Sequence, residues 1–159
     1  MTDQLSAFST LIKHNPTSET INFFYNQWKH ERLVVDKWFS AQVIMAHPNY
    51  LNKVVKDLTS HRDFSLKTPN RVRSVLGAFS ANTAGFHQKS GENYELFSDW
   101  ILKVDPINPQ VAARMCSAFE TWKRYDVNRQ NLIKMQIDKI LEANTISKDT
   151  KEMLTRLVS

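Results

Sequence analysis

Apolar residues recur at intervals of three and four positions along almost the whole chain. This period of about 3.6 residues predicts amphipathic helices. Only three glycines and five prolines occur among 159 residues. Sandwiches and barrels need both residue types for their many tight turns, so this scarcity disfavours them. The sequence therefore predicts an all-α protein.

The pattern and its start and stop signals predict about nine helices. Six of them have predicted bounds at both ends, namely 2–14, 33–46, 92–104, 108–123, 127–143 and 148–158, and three more begin near residues 17, 49 and 68. The candidate N-caps are Thr17, Asn49, Thr68, Asn108, Asp126 and Ser147. Residues 82–91 form the main predicted loop. Short connections favour stacked antiparallel hairpins, as a HEAT- or armadillo-like α-solenoid or an irregular bundle. No internal boundary is visible, which predicts one domain over residues 1–159.

The segment from residue 108 to residue 130 carries the clearest division between an apolar and a polar face. Its predicted apolar stripe consists of Val111, Met115, Ala118, Phe119 and Trp122. Gln110 and Arg114 share a separate flank, about 100° round the helix. Arg73 follows a second cap-then-proline pair, Thr68-Pro69, and shares a flank with Gly77. These flanks are either ordinary surface or the lining of a concave surface, where arginine binds peptide carbonyls or a carboxylate.

No catalytic or metal-binding motif is complete in this chain. His30-Glu31 begins the zinc motif H-E-x-x-H, but position 34 is valine, so the second imidazole ligand is missing. Nucleophile-elbow, P-loop and dinucleotide-binding motifs are also absent. Cys116 lies near the predicted apolar stripe, where an inert buried thiol is expected rather than a nucleophile. The sequence thus predicts no catalytic residues and no metal site.

Charge, hydropathy and cysteine content restrict the kinds of partner and the cellular compartment that the sequence predicts. The net charge is +5, from 21 basic and 16 acidic residues, but the basic residues are scattered. That distribution favours a mixed solvated surface over a nucleic-acid interface. No apolar run approaches the ~20 residues of a membrane span, and the start lacks the features of a signal peptide. A single cysteine fits a reducing compartment, so we expect a cytoplasmic protein.

Several long segments resemble the C-terminal domain of aminopeptidase N of the proteobacterial type. They are NQWKHERLVVDKWFSAQ, TPNRVRSVLGAF, NTAGFH, NPQVAARMCSAFETWKRYDVNRQ and ISKDTKEMLTRLVS. The resemblance extends, in order, over essentially the whole chain. One departure is Thr83-Ala84-Gly85, where the family pattern leads us to expect Pro-Ala-Ala.

The resemblance implies the non-catalytic, all-helical C-terminal part of a zinc metallo-aminopeptidase. In such enzymes an upstream catalytic domain holds Zn²⁺, and the helical domain caps it to form a chamber for small peptides. By motif match, Arg73, Gln110 and Arg114 are expected to bind substrate or to line its access channel. The upstream domain and small peptides are then the partners, and zinc belongs to the parent enzyme. The alternative is a stand-alone helical-repeat adaptor that binds a protein or nucleic acid.

Overall fold

The computed structural model describes residues 1–159, and all of its regular secondary structure is helical. The α-helices are α1 (Thr2–His14), α2 (Ser18–Trp28), α3 (Arg32–Met45), α4 (Leu51–Thr59), α5 (Pro69–Val72), α6 (Ala78–Ala81), α7 (Thr83–Phe86), α8 (Glu92–Val104), α9 (Pro109–Met115), α10 (Val127–Leu141) and α11 (Lys148–Val158). A π-helical segment, Arg73–Gly77, joins α5 to α6, and 3₁₀ turns cover Pro48–Tyr50, Cys116–Phe119 and Trp122–Arg124. The all-α prediction is confirmed. No helix combines the length and the hydropathy of a transmembrane span.

The chain divides into two compact units, Met1–Gly85 and Phe86–Ser159, and each is described by itself. The division falls inside the predicted loop 82–91, where the sequence shows no boundary. That residues 1–159 act as one capping domain stays a prediction.

Helix α3 is the centre of the first unit. It packs against α1, α2, α4, α6 and the π segment. Its buried side chains lie on several faces rather than on one stripe: Val34, Val35, Trp38, Phe39, Ala41 and Val43. The indole N–H of Trp38 donates to the carbonyl of Ile21 over 3.1 Å, so the largest core ring also has its polar atom satisfied.

The second unit is built around aromatic rings from different elements. Helix α8 packs on α9 and α10, and α11 packs on the same two helices. The rings of Phe86, Phe97 and Phe119 are fully buried, and the first two meet edge to face with centroids 5.1 Å apart. Such pairs add about 0.5–1.5 kcal/mol to the burial of their area. These contacts define the core of residues 86–159.

A buried carboxylate joins the end of α8 to the start of α11. Asp105 is only 3% exposed. It accepts from the N–H of Ser147 over 2.7 Å, and from the hydroxyls of Ser147 and Thr150 over 2.5 Å each. Three donors therefore satisfy a charge that would be costly to bury alone.

Four of the predicted N-caps are confirmed. Each accepts from the N–H three residues later: Thr17, Asn108, Asp126 and Ser147. The prediction for Asn49 is wrong, because Pro48 begins a 3₁₀ turn and α4 starts only at Leu51. The ring Nδ1 of His47 caps that turn by accepting from the N–H of Asn49 over 3.2 Å. The fifth helix does begin at Pro69, although Thr68 makes no side-chain capping bond.

Two helices predicted as continuous change their winding. The helix after Thr68 contains the π segment, and the helix expected over 108–123 leaves the α-helical form after Met115. The buried stripe of this second helix is Ala112, Met115, Cys116 and Phe119, whereas Val111, Ala118 and Trp122 are half-buried. The predicted stripe was thus partly wrong. A 3₁₀ turn has about three residues per turn, so positions beyond Met115 rotate away from the α-helical phase.

Candidate functional site

Gln110 and Arg114 occupy one exposed flank of α9, which we call the α9 flank. Asn108 and Pro109 fix the start of this helix, and the side-chain oxygen of Asn108 accepts from the N–H of Val111 over 3.1 Å. Both flank residues are exposed, and in the 3₁₀ turn that follows the Ser117 hydroxyl donates to the Arg114 carbonyl over 2.7 Å. The Arg114 guanidinium has no ion pair. The flank thus presents a cation and an amide to solvent, as predicted.

Arg73 is the first residue of the π segment in the other unit. Its Nη2 donates to Oδ1 of Asn70 over 3.0 Å. A Cβ built on Gly77 would lie 3.6 Å from Cγ of Arg73, so the arginine stem runs over the bare backbone of the glycine. The predicted shared flank of Arg73 and Gly77 is confirmed. Asn70 was missed, although its position three residues before Arg73 is the helical spacing at which side chains meet.

The structure brings Gln110 and Arg114 together on one helix, whereas Arg73 belongs to the unit Met1–Gly85. All three side chains are exposed. Exposed polar side chains are able to contact a polar ligand, but exposure alone does not identify that ligand. Their role in substrate binding stays a prediction.

A polar pair in the second unit consists of His87, which is half-buried, and Tyr94, which is fully buried. Nδ1 of His87 lies 2.8 Å from the Tyr94 hydroxyl, and the imidazole stacks on Tyr125 at 4.1 Å between centroids. Burial, and secondarily the charge of Arg129, lower the pKa of His87 to about 4. Burial also raises the pKa of Tyr94 to about 12. Both groups are therefore neutral near pH 7 and pack as parts of the core.

Cys116 is fully buried. Its thiol donates to the carbonyl of Ala112 over 3.3 Å. Burial, with a smaller contribution from the charge of Asp105, raises the pKa of the thiol to about 12. A thiol that is neither ionised nor accessible is not a nucleophile. The prediction of a core cysteine is confirmed.

The residues of this chain do not fit a zinc site. Nowhere do three or more His, Cys, Asp or Glu side chains converge as metal ligands would. His30 and Glu31 both lie in the connection between α2 and α3, not on a helix face, and Val34 occupies the place of the second histidine. Any zinc chemistry would need other residues.

Comparisons with known proteins match this sequence over almost its whole length. A family model described as a domain of unknown function, DUF3458_C, with ARM repeats matches residues 1–159. The aminopeptidase N of Caulobacter vibrioides is 34% identical over 98% of this chain, and that of Escherichia coli is 33% identical over 100%. The crystal structure of Legionella pneumophila aminopeptidase A in complex with aspartic acid superposes on 99% of the chain with a TM-score of 0.93 at 36% identity. The chain spans only 18% of the length of those two relatives and 19% of the Legionella chain.

Proposed function

Because the chain belongs to the DUF3458_C family of ARM repeats, we propose that it is the non-catalytic C-terminal domain of a cytoplasmic zinc aminopeptidase. In this proposal it caps an upstream catalytic domain and closes the chamber in which N-terminal residues are removed from small peptides. The observation that carries the proposal is the identity of 33–34% with aminopeptidases N over nearly the full chain. A chamber wall positions substrate and excludes water, and for this it needs no reactive group of its own.

The alternative of a stand-alone adaptor is not favoured, since the relatives with matching sequence are aminopeptidases of which this chain spans only 18%. The two possibilities predict different gene sequences upstream of this chain. An open reading frame that continues upstream through H-E-x-x-H supports the capping domain. A stop codon and a ribosome-binding site directly before Met1 would instead support the adaptor.

Purified material gives a second test of the proposal. The parent polypeptide should contain zinc and release amino acids from aminoacyl-naphthylamides, whereas the 159-residue chain alone should do neither. Metal analysis and the release of naphthylamine measure both properties. Hydrolysis by the chain alone at an enzyme-like rate would overturn the proposal.

Within this function, Arg114, Gln110 and Arg73 are the proposed contacts to peptide. A guanidinium that binds a carbonyl or a carboxylate contributes a charge-assisted hydrogen bond. In the parent enzyme, Arg114→Ala should therefore lower kcat/KM about tenfold, mainly through KM, while the zinc content is unchanged. Arg124→Ala, which removes another exposed arginine from the same unit, is the matched control. Equal peptide kinetics in the two variants would contradict the role of Arg114.

A further inference from the structure

We propose that a basic pocket beside the first turn of α3 binds a small oxyanion, a phosphate or a carboxylate. This α3 pocket has a volume of about 390 Å³ and is lined by Lys29, His30, Arg32, Val35, Asp63, Thr68 and Arg71. It shares no residue with the peptide contacts proposed above. Its occupancy is therefore a separate property of the molecule.

Arg71 is the fixed part of the α3 pocket. The residue is only 7% exposed. Its Nε donates to Oδ1 of Asp36, and its Nη1 donates to the carbonyl of Asp63, each over 2.6 Å. The Nη2 amino group has no acceptor in the chain. Nη2 of Arg71 is nevertheless not fully buried, because the only fully buried side-chain nitrogen or oxygen without a hydrogen-bond partner is Nε1 of Trp28. A rigid guanidinium thus offers unused donors to the pocket that it lines.

Backbone groups supply further donors at the same place. Helix α3 has 14 residues, and its N-cap, Glu31, makes no side-chain capping bond. The Glu31 carbonyl accepts from the N–H groups of Val34 and Val35, while those of Arg32 and Leu33 have no acceptor. Free N–H groups and the positive end of the helix dipole both favour an anion.

The side chains around these donors leave positive charge uncompensated. Lys29 and Arg32 are exposed and form no ion pair. Asp63 is the one acidic lining residue, and its Oδ2 accepts from the hydroxyl of Tyr25 over 2.7 Å. Asp36 is paired with Arg71, so the charges of Lys29 and Arg32 remain. The hydroxyl of Thr68 makes no hydrogen bond and adds one more donor. Three cationic side chains and several donors against a single lining carboxylate match a group whose oxygens only accept, which describes a phosphate or a carboxylate.

The test is a titration of the ¹⁵N-labelled chain with sodium phosphate and, separately, with sodium acetate. Sodium chloride at matched ionic strength accounts for screening. We expect saturable shifts of the backbone amide signals of Arg32 and Leu33 and of the side-chain signal of Arg71. Lys29→Ala with Arg32→Ala should weaken binding about tenfold or more, because two cations leave the pocket.

Lys37→Ala with Lys56→Ala is the matched control, since it removes two exposed lysines that do not line the pocket. The affinity of this control variant for the anion should stay within about twofold of that of the original chain, a change of less than about 0.5 kcal/mol. Thr68→Val removes one donor without a charge and should weaken binding by a smaller factor. Tighter binding of phosphate or of acetate identifies which oxyanion the pocket prefers. Shifts that do not saturate with either anion, or equal affinities of the two double variants, would overturn the proposal.

Discussion

Acidification from neutral pH to about pH 4 should destabilise the unit Phe86–Ser159 through the single side chain of His87. In the folded chain its pKa is lowered from 6.5 to about 4, chiefly by burial and secondarily by Arg129. The imidazole is held between the Tyr94 hydroxyl and the Tyr125 ring. It therefore has no room to regain full hydration without opening the structure.

The sign follows from proton binding in the two states. Between pH 6.5 and about 4 the unfolded chain binds a proton at this histidine and the folded chain does not. Stability is thus fully present above pH 6.5, falls as the pH drops, and loses nothing further through this group below about 4. The shift of about 2.5 pKa units corresponds to about 3.4 kcal/mol at 1.36 kcal/mol per unit. Because the ring is only half-buried, solvent screening reduces the expected loss to about 2 kcal/mol.

Urea denaturation at a series of pH values measures this loss. Other groups also titrate in this range, so the informative quantity is the difference in unfolding free energy between the original chain and His87→Asn. That difference should shrink by about 2 kcal/mol from neutral pH to about pH 4. His14→Asn, at an exposed position of the other unit, is the control for the loss of a histidine. A constant difference, or an NMR titration of the His87 ring with a midpoint near 6.5, would refute the reasoning.

Four further substitutions test stability and are measured by urea denaturation at neutral pH. Arg71→Met should cost about 3–5 kcal/mol, because it leaves a nearly buried carboxylate without its partner; a cost below about 1 kcal/mol would contradict this account. Asp105→Asn should cost about 2–3 kcal/mol, because three hydrogen bonds lose their ionised acceptor, and a neutral result would show that the charge is irrelevant there. Gly85→Ala should cost about 1–3 kcal/mol, since its Cβ would lie 2.5 Å from Cδ2 of Leu51. Gly77→Ala should instead be neutral or slightly stabilising, since its Cβ meets only ordinary contact at 3.6 Å; the opposite order would contradict the packing.

Helix caps were predictable because they are local. The oxygen of Asn108 reaches an N–H three residues away, and a proline at the next position fixes the same start. The prediction for Asn49 failed for an equally local reason, since the chain first winds as a 3₁₀ turn from Pro48 and α4 begins only at Leu51. Whether a helix opens with a 3₁₀ turn or directly with an α-helical turn depends on backbone geometry that residue types alone do not specify.

The exposed flanks were predictable, whereas the changes of winding beside them were not. Gln110 and Arg114 are polar residues one turn apart, which is enough to place them on one face. The π segment that begins at Arg73 depends on packing of the helix against α3, where the Ser40 hydroxyl donates to the Ser74 carbonyl over 2.9 Å. No pattern within the helix encodes a bond between residues 34 positions apart. The same limit hid the α3 pocket, whose residues come from three separate segments.

The carboxylate at the end of α8 has a consequence for how the chain reaches its folded state. Its hydroxyl and amide partners lie 42 and 45 positions later. At about 5–20 residues per second, a ribosome needs on the order of 2–9 s to make that stretch. Until then Asp105 stays hydrated, because burial of the carboxylate without these donors would be costly. Synthesis of the α11 segment thus sets the earliest moment at which Asp105 can be buried in the core of the unit Phe86–Ser159.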